Sequence, residues 1–245
     1  HMMYFGTGDY GGSATDESAR YLNDAVAQNG DDKEFEVIAG STEQIFNDLT
    51  PEQIASLPVY RGNLHIPHGF GTLTSHTVSK RWNRKCELLA DSAERAASIA
   101  KWLGTGRYPK ERLDFAWKLF LWHQFHDDLP GTSILDAYRF SYNDYVIAQN
   151  VLADELTASI DAAASALNTN TQGQPVVVFN PVAASRTDLV TAPVPQGAQF
   201  VRVYTADGKE VPSQISIVDG EHVVRFAPTV APVSLTVFSL VASDA

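Results

Sequence analysis

The chain has 245 residues, 44% of them hydrophobic, enough for one large or two ordinary globular domains. Its net charge of -11 argues against nucleic acid or an anionic membrane surface as a partner, because both are polyanions. The single cysteine, Cys86, excludes an internal disulfide framework and a multi-cysteine zinc site, and no apolar run approaches the ~20 residues that span a membrane.

The start, His1-Met2-Met3, reads as a cloning scar or a trimmed end. Residues 4–15 (YFGTGDYGGSAT) form a glycine-rich loop around Asp9, without the preceding strand and spacing that a phosphate cradle needs. Residues 16–28 read as a helix with Ala19, Leu22 and Val26 on one stripe and Gly30 as its stop. Residues 34–40 (EFEVIAG) alternate and predict a short strand, followed by short helical pieces at 42–48 and 51–57. Residues 58–73 are irregular and carry His65 and His68; loops of this length often line sites.

From residue 74 the period is helical. Thr74 or Ser75 is expected to cap a long helix whose stripe is Val78, Trp82, Cys86, Leu89, Ala93, Ala96, Ala100 and Leu103, stopped at Gly104. Its opposite face carries Lys80, Arg81, Arg84 and Lys85, read as a solvated basic face that pairs with local acids. Pro109 opens a second helix with Leu113, Ala116, Trp117, Phe120 and Leu121, continuing through Gln124 and Phe125. Ser133 with Asp136 predicts a capping box for a third helix carrying Tyr138, Tyr142, Tyr145, Leu152, Leu156, Ile160, Ala163 and Leu167. Three long helices with short connections are expected to pack as an antiparallel bundle.

Residues 168–173 (NTNTQG) read as a linker, after which the period changes to 2. Strands are expected at 176–179, 189–194, 200–204, 211–217, 222–226 and 233–240, with hairpin signals at Asp207-Gly208 and Asp219-Gly220. The expected fold class is therefore α+β: an antiparallel three-helix bundle followed by a partial antiparallel β-sandwich.

The chemistry concentrates in LWHQFHDDLPGTS at 121–133. On a continuous helix, His123, His126 and Asp127 would share one face at i, i+3 and i+4. A catalytic zinc takes three protein ligands plus a water position, so a second segment would have to complete such a site. On spacing alone, both a metal face and a capping or solvated helix end remain open.

FHDDLPGTS at 125–133 resembles a segment of the α-mannosidases of glycoside hydrolase family 38. Three further stretches agree in order. GTGDYGGSAT at 6–15 is similar to the family's G-x-GDHGGGPT loop, with Tyr10 where histidine is usual and Ser13-Ala14 in place of Gly-Pro. GTLTSHTVSKRWNRKCELL at 71–89 resembles its LTSQ and KRWNRK segment. PVVVFNPVAASR at 175–186 is like the start of its following β-domain.

The resemblance implies a zinc-dependent retaining hydrolase of terminal α-mannosidic bonds, acting on mannose-containing glycans or oligosaccharides. Carried over residue by residue, His126 would be a zinc ligand and Asp127 the carboxylate that binds mannose hydroxyls. Asp9 would be the catalytic general acid, while His68 and His123 receive no role. No His-x-Asp pair precedes Tyr4. The catalytic barrel and nucleophile of the family are therefore expected to be missing, and retaining hydrolysis needs two carboxylates about 5–5.5 Å apart.

The implied organisation is a remnant of the catalytic domain at 1–70, the helical middle domain at 71–168 and a partial β-sandwich at 174–245. A chain cut in this way is expected to be inactive alone and to form a homo-oligomer through uncovered surface. The similarity is to bacterial relatives and the cytosolic branch of the family, which implies a cytoplasmic location. The alternatives are a non-catalytic module that packs on a catalytic partner or binds carbohydrate passively, and an unrelated helical zinc protein.

Overall fold

The computed structural model describes residue 3 and residues 5–6, 12–30, 34–64 and 67–244, with the side chains of 67 and 68 left aside. It divides into two units, 1–64 and 65–245.

In the first unit, α1 (Asp16–Ala27) starts at Thr15, whose hydroxyl accepts the N–H of Ser18 at 3.2 Å. Two short helices follow, α2 (Gln44–Asn47) and α3 (Pro51–Ser56). The latter opens with a reciprocal capping box between Thr50 and Gln53. The strand expected at 34–40 is not formed. The Asn29 side chain takes its place as a partner, donating to the Val37 carbonyl at 2.7 Å and accepting the Val37 N–H at 2.9 Å. Alternation shows which face of a segment is apolar; it does not supply the neighbouring strand a ladder requires.

The second unit opens with a 3₁₀ helix (Pro67–Leu73), followed by α4 (Thr77–Trp102), α5 (Lys110–Trp122) and α6 (Leu135–Ala164). Cys86, Ala90 and Ala93 of α4 share one buried cluster with Leu113, Ala116 and Phe120 of α5 and Tyr145, Ala148 and Leu152 of α6. Small residues on α4 let the helices approach closely. The contacts fix direction. His76 stacks on Tyr138 with centroids 3.7 Å apart, Trp82 meets Tyr142 edge-on, and Cys86 lies against the Tyr145 carbonyl. Contacts that advance together along both helices make α4 and α6 parallel. Trp117 of α5 donates to Glu94 at 3.0 Å and Gln124 donates to Asn83 at 3.1 Å, so α5 runs the opposite way.

Several local expectations are corrected. The buried line of α4 begins with Ser79 and Asn83, while Val78 is exposed. Asn83 tolerates burial because it accepts from Gln124 and donates to Glu87 at 2.8 Å. The N-cap of α4 is His76 in a left-handed conformation (φ 49°), with no side-chain cap from Thr74 or Ser75. At the start of α6 the expected Ser133–Asp136 box is absent; Ile134 is the N-cap, and the Ser133 N–H donates to the Tyr138 hydroxyl at 3.2 Å.

The strands are β1 (Gln174–Asn180), β2 (Arg186–Thr187), β3 (Val190–Pro193), β4 (Phe200–Thr205), β5 (Glu210–Val211), β6 (Ser213–Val218), β7 (Glu221–Phe226), β8 (Thr229–Val230) and β9 (Ser234–Ser243). They form antiparallel sheets in the orders β1-β9-β4-β5, β3-β7-β6 and β2-β8. Val201, Val203, Phe238 and Leu240 of the first sheet share a buried cluster with Ala192, Val224 and Phe226 of the second. The strand expected at 211–217 is broken by Pro212, which cannot donate to a ladder, and β2 and β8 were not expected from the pattern. The mixed helix and antiparallel-sheet class holds. Among the described residues, no helix is long and apolar enough to cross a membrane.

Candidate functional site

Helix α5 stops at Trp122, and His123 is its C-cap. Residues 123–131 turn, so His123, His126 and Asp127 do not share a helix face as the spacing suggested. His123 is 3% exposed. Its Nδ1 lies 2.6 Å from Asp128 Oδ2 and its Nε2 lies 3.1 Å from Asp144 Oδ2 on α6. The Asp128 carboxylate also accepts the Ser141 hydroxyl, at 2.9 and 2.8 Å to its two oxygens. A side chain so engaged draws the chain out of helical register at the end of α5.

The turn is held from two other directions. The Asp127 carbonyl accepts the N–H of Thr132 at 3.0 Å, the N–H of Ser133 at 2.9 Å and the Tyr138 hydroxyl at 3.2 Å. The Lys80 ammonium, counted beforehand among a solvated basic face, donates instead to the carbonyls of Ser75, Leu129 (2.8 Å) and Pro130 (3.3 Å). Its burial holds the Lys80 pKa below the ordinary lysine value. Arg84 does pair with a local acid, Glu87, at 2.7 Å.

Gly131 has a positive φ of 92°, and a Cβ there would lie 2.6 Å from Ser75 Cβ. The turn therefore sits directly on the segment that leads into α4, which no bulkier residue would permit.

Between these anchors, His126 and Asp127 project outward. Their side chains are 77% and 47% exposed, with His126 Nε2 3.3 Å from Asp127 Oδ2. The Thr132 hydroxyl donates to Asp127 Oδ1 at 2.7 Å, fixing the carboxylate, and Phe125 packs on the imidazole at 4.1 Å between centroids. The pair thus offers one imidazole nitrogen donor and one oriented carboxylate acceptor to an incoming group. Among the described residues no group of three or more His, Cys, Asp or Glu is arranged to hold a metal ion. The imidazole suits zinc as a ligand, but the described residues do not complete a zinc site. Asp9 and His65 lie outside the described residues, as does the side chain of His68.

Asp128, Ser141 and Asp144, which hold the turn, were not singled out from the sequence. The signal present was indirect: His123 and Asp128 are five positions apart, a spacing whose side chains diverge on a helix and meet only across a turn.

Residues 70–167 match a family model described as the alpha mannosidase middle domain. Alpha-mannosidase 2C1 of Mus musculus is 29% identical over 237 residues, covering 94% of this chain and 20% of that protein. An alpha-mannosidase from Enterococcus faecalis V583 superposes with a TM-score of 0.62 at 21% identity, over 93% of this chain and 30% of that one. A protein of glycosyl hydrolase family 38 from Enterococcus faecalis superposes with a TM-score of 0.59 at 19% identity, over 94% and 31% respectively. The sequence matches identify an α-mannosidase middle region, and the superpositions show its fold. Residues 70–167 thus match the α-mannosidase middle domain, and the chain as a whole is similar to α-mannosidases. It spans about a fifth of the length of the first curated relatives it matches.

Proposed function

We propose that this chain is part of a zinc-dependent retaining α-mannosidase that hydrolyses terminal α-mannosidic bonds of mannose-containing glycans, and that it is inactive alone. In this reading residues 1–70 end a catalytic domain, residues 71–168 are a three-helix bundle and residues 174–245 are a partial β-sandwich. The observation that carries the reading is the exposed His126–Asp127 pair, 3.3 Å apart, on a turn whose backbone and neighbours are otherwise engaged. The sequence relationship to α-mannosidases supports it.

His126 would supply an imidazole nitrogen to zinc, and residues outside this chain would supply the remaining ligands. Zinc, when bound, would hold vicinal hydroxyls of the sugar and favour the distorted ring of an oxocarbenium-like state. Asp127, its carboxylate set by Thr132, accepts hydrogen bonds from those hydroxyls and so orients the mannose. Asp9 is the proposed proton donor to the leaving oxygen. The single cysteine, Cys86, is free and buried, in keeping with a cytoplasmic location.

In the full-length enzyme, His126→Ala should abolish zinc retention and hydrolysis of an aryl α-mannoside together. Unchanged zinc content in that variant would remove His126 from the site. It would then favour the second reading, a non-catalytic module.

A further inference from the structure

We infer that His123 is a positioning residue for the His126–Asp127 pair, acting through its bond to Asp128. The inference rests on the proposed reading of His126 as a zinc ligand and of Asp127 as a substrate-binding carboxylate.

His123 is buried beside Tyr145, with both ring nitrogens engaged by carboxylates. Its two nitrogens do separate work. Nδ1 bonds Asp128, the residue directly after Asp127, at 2.6 Å; Nε2 bonds Asp144, in the second turn-pair of α6, at 3.1 Å. The Asp128 carboxylate is thereby held between α5 through His123 and α6 through Ser141. On the other side of the same peptide, the Asp127 carbonyl takes the N–H groups of Thr132 and Ser133 and the Tyr138 hydroxyl. The peptide between residues 127 and 128 is thus held from both sides, and the Asp127 carboxylate by Thr132, so the turn that carries His126 and Asp127 is set before anything binds. A ligand pair pre-set in this way loses little freedom when it binds, and partners that orient ligands from behind govern metal affinity.

A second use of His123 is a plain tether between α5 and α6, and that would run through Nε2 and Asp144. The two uses are separable because an asparagine amide stands where Nδ1 does and a glutamine amide where Nε2 does. His123→Asn keeps the Asp128 bond and loses Asp144; His123→Gln does the reverse.

The test compares wild type, His123→Asn, His123→Gln, His123→Ala and His126→Ala in the full-length enzyme. Zinc retained against a graded chelator is measured, with kcat and KM for an aryl α-mannoside. Positioning predicts that His123→Gln and His123→Ala release zinc at about 10-fold lower chelator and lose kcat about 10-fold, with His123→Asn within about twofold of wild type. Equal behaviour of the two amide variants, rescue by glutamine rather than asparagine, or an unchanged kcat and zinc affinity with only a lowered Tm would overturn the inference. Failure of His123→Asn to fold would also count against it, since the Asp128 bond is held to be sufficient for the turn. His126→Ala separates the layers: if it keeps zinc, the ligand reading has failed; if it loses zinc while every His123 variant keeps it, the positioning inference alone has failed.

Discussion

The Lys80 ammonium donates to the Leu129 carbonyl at 2.8 Å, fastening the first turns of α4 to the Leu-Pro-Gly turn that follows α5. The Pro130 and Ser75 carbonyls complete its set of acceptors, matching the three donors of an ammonium group. These bonds couple a lysine on α4 to a turn some fifty residues along the chain: the ammonium finds its acceptors there, and the turn's carbonyls find their donor.

Lys80→Met should cost about 2 kcal/mol, the value of hydrogen bonds to a charged group whose carbonyl partners are left unmet. Lys80→Arg should not rescue it, because a planar fork cannot address three carbonyls that converge on one point. The urea midpoint of the helical region, followed by far-ultraviolet circular dichroism, reads the loss. A midpoint unchanged in Lys80→Met would show that the turn holds itself.

Gly131→Ala should be still more damaging. It combines a positive φ of 92° with a new methyl 2.6 Å from Ser75 Cβ and 3.0 Å from the Ser75 carbonyl group. Strain and overpacking together predict a loss of about 3 kcal/mol. Adding Ser75→Gly should recover only part of it, since the Ser75 backbone remains in place. Full recovery in the double variant would mean that backbone contact and φ contribute little.

Cys86 should resist alkylation while the protein is folded. Burial pushes its thiol up to about 12 from an ordinary 9.0, with Lys85 opposing the shift and Glu87 adding to it. The folded state thus holds its proton more tightly than the unfolded chain. The corresponding stability is complete below pH 9.0 and is lost as pH climbs towards about 12. Comparison of urea midpoints over that window between wild type and Cys86→Ala isolates the thiol; a wild-type midpoint as insensitive to pH as that of the variant would contradict the shift.

The parts of the fold that could be read from the sequence are those decided by spacing. The stripe of Cys86, Ala93 and Ala100 on α4 and the alternation of Val201 and Val203 on β4 report side chains that must leave water at fixed intervals. Asp219 and Gly220, both at positive φ (50° and 85°), form the hairpin turn their dipeptide announces. What could not be read depends on partners far away in sequence. Residues 34–40 alternate like a strand but meet the side chain of Asn29 instead of a second strand. The turn after α5 is set by Asp128, which meets His123 across it and Ser141 on another helix, and the helical period runs past that point without a sign of it. The roles of His126 and Asp127 come from the resemblance of their motif; their spacing alone favoured a capping or structural role. The structure adds the reason they stand together, which is the anchored turn beneath them.

The most direct test of the account is a zinc titration of the 245-residue chain itself. If His126 is one ligand of a site completed by residues outside this chain, no stoichiometric zinc binding tighter than about 1 μM should appear, because a catalytic site needs three protein ligands. The same preparation should leave an aryl α-mannoside intact. One zinc per chain bound at sub-micromolar strength and lost in His126→Ala, or cleavage of the mannoside by this chain alone, would contradict the account.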